Sequence, residues 1–403
     1  MTDVRNLLAI IWEIILDPLG RLMQDTIKFE AIDLPNGIRS RFVNGVNGLK
    51  MHILEAGFED NNGPKRRPCL LLLHGFPELA FSWRKVMVPL AQEGYYVVAP
   101  DQRGYGRTTG WNAKYDDDLA PFRFLNLVRD VICLIDAIEY ESVAAVIGHD
   151  FGSPVAADCA LIRPDVFHSV VLMSAPFERS PSIKPADKVD VHGSLADLKR
   201  PRKHYQWYYT TRPANDDMTK CPQGVRDFLR AYYHHKSADW RKNKPHPLRE
   251  WTANELAKMP TYYIMDLADN MAETVAKEMP TETEIQACTW LPNDELDVYA
   301  QEYDRTGFQG GLNWYRSRAS PTLNEDKSIF AGRAIEVPAC FIAGASDWGI
   351  HQSPGALKNM QYAGCSDFRG LHLLDSAGHW VQQEKPNAVV ECLLAFLNGH
   401  GVV

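Results

Sequence analysis

The chain has 403 residues, a formal net charge of −8 and 45% apolar residues. This length exceeds one minimal domain, so we expect either a core domain with a large insertion or two domains. The composition is typical of a globular protein with a large buried core. The acidic balance disfavours non-specific nucleic-acid binding, so we expect no nucleic-acid partner.

The eight cysteines fit a reducing compartment better than a disulfide framework. No two of them form a Cys-x-x-Cys pair, and several lie inside apolar runs such as PCLLLLH. Buried free thiols are typical of proteins kept under reducing conditions. The first residues, MTDVRN, carry no net positive charge, which disfavours a secretory signal. We therefore expect a cytoplasmic protein.

Residues 1–25 predict an amphipathic helical extension. The segment VRNLLAIIWEIILDPLGRLMQ is strongly apolar, but Glu13 interrupts it and Asp17-Pro18 follows. The uninterrupted apolar span is too short to cross a bilayer. We expect this helix to pack on the protein or to form a homodimer contact, with peripheral membrane contact as the alternative.

From about Leu49, short apolar runs alternate with amphipathic segments. The predicted strands are LKMHILEA, CLLLLHGF, YYVVAPD, SVAAVIGHD, HSVVLMSA, ACFIAGASD and GLHLLDSA. The predicted helices are SWRKVMVPLAQEG, FRFLNLVRDVICLIDAIEY, SPVAADCALIRP, SPGALKNM and PNAVVECLLAFLNG. Alternation of this kind predicts an α/β domain with a mainly parallel sheet flanked by helices.

The alternation stops between about Phe177 and Asn324. This region is rich in Tyr, Trp, His, Pro and charged residues, and it has no strand periodicity. A helical cap, or lid, inserted between two halves of one sheet is the economical interpretation. The predicted boundaries are 26–178 and 324–403 for the core and 179–323 for the cap.

The stretch VIGHDFGSP, residues 146–154, predicts the end of a strand, a sharp turn and the start of a helix. Asp150 stands at the tip of the turn, between two glycines. Such an elbow strains its central residue and projects that side chain above the carboxyl edge of the sheet. A structural Asp that caps the following helix is the alternative interpretation.

A carboxylate at this tip selects a reaction that a serine would not perform. Attack by a carboxylate on a carbonyl would give a high-energy anhydride. Attack on a saturated carbon that bears a leaving group gives an alkyl ester, which water can then cleave. Epoxides and alkyl halides are the two substrate classes that fit, and a serine-type esterase is disfavoured.

Four further residues complete the predicted chemistry. His379 in LLDSAGHW follows a late strand on a glycine turn, where the base comes last in chain order. Asp347 ends the preceding strand in FIAGASDWG and is predicted to orient the base, with Glu178 as a weaker alternative. The backbone N–H groups of Phe76, in the HGFP turn, and Phe151 are predicted to form an oxyanion hole.

The chain resembles the α/β-hydrolase family and, within it, the soluble epoxide hydrolases. The resemblance covers about residues 49–397 and rests on four motifs: HGFPE (74–78), DQRGYGRT (101–108), GHDFG (148–152) and GHW (378–380). It implies the α/β-hydrolase fold with a helical cap. One departure is Phe151, because many relatives have Trp at this position.

The resemblance also implies two lid tyrosines that donate to the epoxide oxygen. Tyr205 in HYQWYY matches the first, with Tyr208 and Tyr209 as alternatives, and Tyr315 in GLNWYRS matches the second. Because the lid is rich in aromatic residues, packing is the alternative role for any one of these tyrosines.

Together these residues predict an epoxide hydrolase that forms a covalent ester on Asp150 and releases a vicinal diol. The expected partners are a small apolar epoxide and water. No cofactor or metal is expected, because no His-Glu-x-x-His motif and no dinucleotide fingerprint is present. A haloacid or haloalkane dehalogenase with the same Asp-His-Asp set is the alternative, and a non-catalytic ligand receptor is a second one.

Overall fold

The computed structural model describes residues 29–59, 66–179 and 190–399. The chain divides after Asp33, and the fold below is that of Leu34–Val403. The predicted N-terminal helix, with its homodimer or membrane contact, lies outside the described residues. Within the described ranges, every helix is too short or too polar to cross a membrane. All eight cysteines are free thiols.

Two sheets are built from the strands. The strands are β1 (Ile38–Val46), β2 (Leu49–Ala56), β3 (Cys69–Leu73), β4 (Tyr96–Pro100), β5 (Ala145–His149), β6 (Val170–Met173), β7 (Arg202–His204), β8 (Ile264–Asp266), β9 (Ala339–Gly344) and β10 (Phe368–Leu374). The main sheet has eight strands in the order β1-β2-β4-β3-β5-β6-β9-β10. Its β1–β2 and β2–β4 pairs are antiparallel. The other pairs are parallel, so the predicted mainly parallel sheet is confirmed.

Helices follow most of the strands. They are α1 (Arg84–Gln92), α2 (Phe124–Ala137), α3 (Gly152–Ile162), α4 (Val191–Ala196), α5 (Tyr205–Tyr209), α6 (Ala214–Thr219), α7 (Gly224–Lys236), α8 (Ala253–Leu256), α9 (Met271–Ala276), α10 (Glu282–Ala287), α11 (Asn293–Thr306), α12 (Gln309–Ala319), α13 (Ala356–Asn359), α14 (Val381–Glu384) and α15 (Pro386–Asn398). Short 3-10 helices cover Ala80–Trp83, Ala120–Phe122, Thr322–Phe330 and Trp348–His351.

The central strands are buried along their whole length. Every residue of β3 (CLLLL) and of β5 (AVIGH) is buried. Continuous apolar runs of this kind are typical of parallel strands covered by helices on both faces. The amphipathic helix α2 shows how the cover is made, because its buried residues recur at helical spacing from Phe124 to Ile135. The stable core therefore surrounds the strands that lead to the predicted catalytic turns.

The seven predicted strands are all present, and three further strands were missed. The sequence of β1, IRSRFVNGV, is polar, and much of it is exposed at the edge of the sheet. The expectation that the region from Phe177 to Asn324 has no strands is wrong, because β7 and β8 pair there as a small antiparallel sheet. Each of these two strands has three residues, which is too short to show a period of two.

Residues 190–330, called the insertion below, lie between β6 and β9 in the chain, although these two strands are neighbours in the sheet. Polar contacts join the insertion to the core. Arg107 Nε donates to Glu302 Oε1 at 2.6 Å, and Ser82 Oγ lies 2.8 Å from the Tyr299 hydroxyl. Because these groups are buried, each needs its partner. The contacts therefore hold the insertion in one position over the carboxyl edge of the sheet.

We expect Leu72→Ala in β3 to lower the free energy of unfolding by about 2–5 kcal/mol, because it leaves a cavity at a fully buried position. The matched control is Leu373→Ala in the edge strand β10, where the side chain is 45% exposed, and we expect a loss below about 1 kcal/mol. Urea denaturation measures both changes. Equal losses would contradict the assignment of β3 to the core.

Candidate active site

Asp150 stands at a strained turn between β5 and α3. Its φ of 50° lies in the left-handed region, which a non-glycine residue rarely adopts. The flanking glycines make the turn possible. A Cβ at Gly148 would come within 2.2 Å of the Gly152 carbonyl oxygen, and a Cβ at Gly152 would come within 2.2 Å of the Leu73 carbonyl oxygen. The sequence therefore builds the elbow that VIGHDFGSP predicts.

The structure brings Asp150, His379 and Asp347 into one buried line. His379 Nε2 lies 3.1 Å from Asp150 Oδ2, and His379 Nδ1 lies 3.1 Å from Asp347 Oδ1. Burial works to raise the pKa of Asp150, but the hydrogen bond and charge of His379 outweigh it, and the net shift is downward. The pKa of Asp347 is also lowered, because the charge and hydrogen bond of His379 again outweigh the effect of burial. Both carboxylates are therefore ionised at neutral pH.

The turn after β3 supplies a donor to the same carboxylate. The Phe76 N–H donates to Asp150 Oδ1 at 2.9 Å. This approach needs a glycine beside it, since a Cβ at Gly75 would meet the Asp150 Cβ at 2.4 Å. Phe151, the other residue with a predicted oxyanion-hole N–H, directly follows Asp150 and is the N-cap residue of α3.

Tyr205 and Tyr315 line a cavity of about 320 Å³ together with Asp150. Their ring centroids are 5.9 Å apart, and each residue is only 4% exposed. Burial, with the nearby charge of Asp150, raises the pKa of both phenols. Both hydroxyls are therefore protonated at neutral pH and able to donate. The Tyr205 hydroxyl donates to Gln352 Oε1 at 3.0 Å.

The residues that were alternatives to Tyr205 and Asp347 form hydrogen bonds with other partners. The Tyr208 hydroxyl donates to Asp217 Oδ2 at 2.8 Å, and the Tyr209 hydroxyl donates to the Tyr232 hydroxyl at 3.3 Å. Glu178 accepts a hydrogen bond from Ser353 Oγ, whereas Asp347 holds the ring of His379. The geometry therefore favours Tyr205 and Asp347 over these alternatives.

Phe151 shapes the wall of the cavity next to the nucleophile. Its ring meets the Tyr315 ring edge-on, with centroids 4.6 Å apart, and the Trp314 ring at 5.4 Å. The Phe124 ring stacks on it at 6.0 Å. The departure from Trp at this position therefore leaves an apolar platform that supports Tyr315 and offers no side-chain N–H to the cavity.

A buried ion pair behind the nucleophile was missed by the sequence analysis. His149 Nδ1 lies 2.5 Å from Glu78 Oε2, and His149 Nε2 lies 2.7 Å from the His379 carbonyl oxygen. Burial lowers the pKa of His149, but the charge and hydrogen bond of Glu78 outweigh it, and the net shift is upward. A charged His149 donates from both ring nitrogens, so it ties the base to the HGFPE turn. The only sign of this ion pair in the sequence was Glu78, the last residue of the HGFPE motif.

Glu384 is a second missed residue, and it fastens the loop that carries the base. Its carboxylate accepts the N–H groups of Gly378 at 2.9 Å, Trp380 at 3.0 Å and Ala238 at 2.9 Å. The Lys236 carbonyl accepts the His379 N–H at 3.0 Å. A segment of the insertion and the loop of the base are thus held by one set of backbone contacts.

The described residues contain no group of three or more His, Cys, Asp or Glu side chains able to hold a metal ion. The geometry instead offers an ionised nucleophile, a histidine beside it, a backbone donor on its second oxygen and two neutral phenols. This combination is typical of a hydrolase in which a carboxylate stands at the tip of the elbow.

Comparison with known proteins agrees with this class. A family model described as alpha/beta hydrolase fold matches residues 68–386. Epoxide hydrolase A of Mycobacterium tuberculosis is 31% identical over 354 residues, which cover 88% of this chain and 95% of that protein. The chain therefore belongs to the alpha/beta hydrolase fold family, in the group that includes the epoxide hydrolases.

Solved structures show the same relationship. The structure of an epoxide hydrolase from an endophytic Streptomyces matches with a TM-score of 0.73 and 29% identity, over 91% of this chain and 96% of that chain. Epoxide hydrolase I of potato (Solanum tuberosum) matches with a TM-score of 0.68 and 29% identity, over 90% of this chain and 99% of that chain. The expected α/β-hydrolase fold and family resemblance are confirmed.

Glu384 makes a pH dependence of stability testable. Burial raises the pKa of Glu384 from 4.5 to about 7, although its three N–H donors act to lower it. The folded state therefore holds the proton more tightly than the unfolded state. This contribution to stability is complete below about pH 4.5 and is lost as the pH rises to about 7. We expect the free energy of unfolding of the native protein, relative to Glu384→Gln, to fall by about 3 kcal/mol over this interval. Urea denaturation at several pH values measures both proteins. If the free energy of unfolding changed in the same way with pH in the native protein and in Glu384→Gln, the raised pKa of Glu384 would be contradicted.

Proposed function

We propose that this protein is an epoxide hydrolase that converts an epoxide and water into a vicinal diol through an ester on Asp150. The observation that carries the proposal is one cavity lined by Asp150 together with Tyr205 and Tyr315, whose hydroxyls are protonated. The relatives named epoxide hydrolase, which align over most of the chain, support it.

In the first step, an oxygen of Asp150 attacks an epoxide carbon in line with the C–O bond that breaks. Oδ1 already accepts the Phe76 N–H, so Oδ2 forms the new bond and Oδ1 becomes the carbonyl oxygen of the ester. The epoxide oxygen stays on the substrate as a developing alkoxide. It takes a proton from Tyr205 or Tyr315, whose high pKa values match a strongly basic acceptor.

In the second step, His379 takes a proton from water, and the water oxygen attacks the Asp150 carboxyl carbon. Asp347 holds the ring of His379 and stabilises the imidazolium that forms. The N–H groups of Phe76 and Phe151 stabilise the oxyanion on Oδ1. When the intermediate collapses, the bond between the Asp150 carboxyl carbon and Oδ2 breaks, and Oδ2 leaves as the diol oxygen with the proton from His379. The oxygen from water stays on the carboxyl group, and its remaining proton returns through solvent to the tyrosinate formed in the first step, so that Asp150 is again a carboxylate and the tyrosine a phenol.

The dehalogenase alternative is less well supported. A departing halide needs an N–H group or another positive edge, and Phe151 has a hydrocarbon side chain where a Trp would present an N–H. The two neutral phenols instead suit a leaving oxygen that needs a proton. A ligand receptor would need neither an ionised nucleophile nor a base held beside it, so the complete set favours an enzyme.

The residues that line the cavity bear on the substrate class, and the free cysteines bear on the cellular location. Phe124, Phe151 and Phe177 line the cavity together with charged residues such as Arg318 and Lys327. The aromatic part of this lining supports a small apolar epoxide as substrate. The eight free cysteines support a cytoplasmic location. The predicted homodimer or membrane contact depends on residues 1–25 and stays a prediction.

One turnover in heavy-oxygen water tests the covalent step. With enzyme in excess over styrene oxide, we expect the first diol to carry ordinary oxygen and the peptide that contains Asp150 to carry the label. The physical reason is that the oxygen transferred in the first turnover comes from the carboxylate. Mass spectrometry measures both products. Label in the first diol would contradict the ester, and halide release from a haloacid without diol formation would favour the dehalogenase.

Removal of the tyrosine hydroxyls tests their role as proton donors. We expect Tyr205→Phe and Tyr315→Phe each to lower the rate of ester formation about 10-fold to 100-fold, and the double variant to lower it by at least about 1,000-fold, because the alkoxide loses its acid. The matched control is Tyr208→Phe, which removes a hydroxyl bonded to Asp217 outside the cavity and is expected to keep the rate. Rapid mixing with styrene oxide, followed by mass analysis of the intact protein, measures the rate. Equal effects of all three single variants would contradict the assignment.

A further inference from the structure

Lys236, the last residue of α7, is a buried cation surrounded by aromatic rings. It is 2% exposed, and its Nζ lies 5.0 Å from the Tyr263 ring centroid, 5.2 Å from Trp380 and 5.4 Å from Tyr232. The Tyr262 ring lies at 6.0 Å. Aromatic faces stabilise an ammonium group without removing its charge. A lysine is rarely buried unless it is paired, so this position asks for an explanation.

The carboxylates whose charges act on Lys236 are those of the active site. Asp150 and Asp347 are bonded to His379, and Glu78 is bonded to His149. Among the described residues, no carboxylate lies within salt-bridge distance of the Lys236 ammonium. The Trp380 ring lies between the ammonium and the base, since its centroid is 5.2 Å from Lys236 Nζ and 4.6 Å from the His379 ring centroid. The cation is therefore placed beside the active site without a direct ion pair.

The electrostatic setting supports this view. Burial lowers the pKa of Lys236, and the charges of Asp150, Asp347 and Glu78 oppose this effect. In return, the charge of Lys236 helps to lower the pKa of Asp150. The other titratable groups around the ammonium are neutral at pH 7: the phenols of Tyr232, Tyr262 and Tyr263, whose pKa values are raised by burial, and His235, whose pKa is lowered by burial.

We propose that Lys236 is the buried counter-ion of the active site, which stabilises the carboxylate of Asp150 before attack and the oxyanion on Asp150 during ester hydrolysis. The second part rests on the proposed function, and the first part does not. Lys236 does not touch the reacting atoms, so it is a positioning residue that acts by charge through Asp150.

A count of charges explains why the site needs this cation. The Glu78–His149 pair is neutral as a whole, and His379 lies between the carboxylates of Asp150 and Asp347. One histidine balances at most one of these two negative charges, so at least one negative charge is left in a buried space, where it is costly. The ammonium of Lys236 compensates it. Esterification removes the charge of Asp150, and the tetrahedral oxyanion restores it beside the same cation.

The backbone and the side chain of Lys236 have separate tasks. The carbonyl accepts the His379 N–H, and this contact holds the loop of the base whatever the side chain is. A purely structural role of the side chain would depend on its volume and its ring contacts. The proposed role depends on its charge, and the two are therefore separable by substitution.

The first experiment needs no turnover. NMR of labelled lysine Cε carbons follows the titration of Lys236, assigned with Lys236→Arg, in the native protein and in Asp150→Asn. We expect Asp150→Asn to lower the pKa of Lys236 by about one unit, because it removes a stabilising negative charge. An unchanged pKa would overturn the proposal, whether or not the protein hydrolyses epoxides.

The second experiment measures the pH dependence of ester formation with styrene oxide. We expect Lys236→Met to move the acidic limb of the rate profile up by about one pH unit and to lower the maximal rate of ester formation about 10-fold, because Asp150 loses its counter-ion. Lys236→Arg keeps the charge, and we expect it to restore the acidic limb. A limb that moves equally in Met and Arg variants would overturn the proposal in favour of packing.

Lys203→Met is the matched control, since Lys203 is also an insertion lysine over a tyrosine ring, at 5.2 Å from Tyr208. Its nearest charges are Asp269, Asp217 and Glu273, away from the cavity, so we expect an unchanged pH profile. If the native protein formed no ester at all, the proposed function would fail. The lysine titration would still decide the part that concerns Lys236 and Asp150.

Discussion

The central constraint on this protein is a carboxylate that must stay ionised while buried at the tip of a strained turn. Desolvation of a charge is costly unless donors and opposite charges compensate it. Asp150 receives an N–H from Phe76 on one oxygen and faces His379 on the other. The positions of β3, β5 and β10 are the ones that bring these groups together, since their carboxyl ends lie along one edge of the sheet.

The base depends on a comparable set of supports. His379 is oriented by Asp347, and its carbonyl accepts a hydrogen bond from His149. The loop around it is fastened to the insertion through Glu384 and the Lys236 carbonyl. Asp150, His379 and the insertion are therefore joined by one set of contacts. In the proposed mechanism, a shift of the insertion would disturb the geometry of proton transfer as well as the shape of the cavity.

Aromatic residues in the insertion perform two distinct tasks. Tyr205 and Tyr315 present hydroxyls to the cavity, while Tyr208, Tyr209 and most of the others pack or bond elsewhere. Phe151 connects the two tasks, because its ring lies beside the nucleophile and supports Tyr315 edge-on. In the proposed mechanism, a hydrocarbon side chain there leaves proton donation to the phenols, which suits a leaving oxygen better than a leaving halide.

The sequence by itself determined the α/β class, seven strands of the main sheet and the elbow, because hydrophobic periodicity and glycine turns act over short distances. It also singled out Asp150 and His379, since each stands on a recognisable turn. Only the tertiary structure decided that Tyr205 and Tyr315 share a cavity with Asp150, and that Glu384 holds the base. It also decided that Lys236 lies among aromatic rings near three carboxylates. Burial and charge compensation arise from residues far apart in the chain, and no local pattern records them.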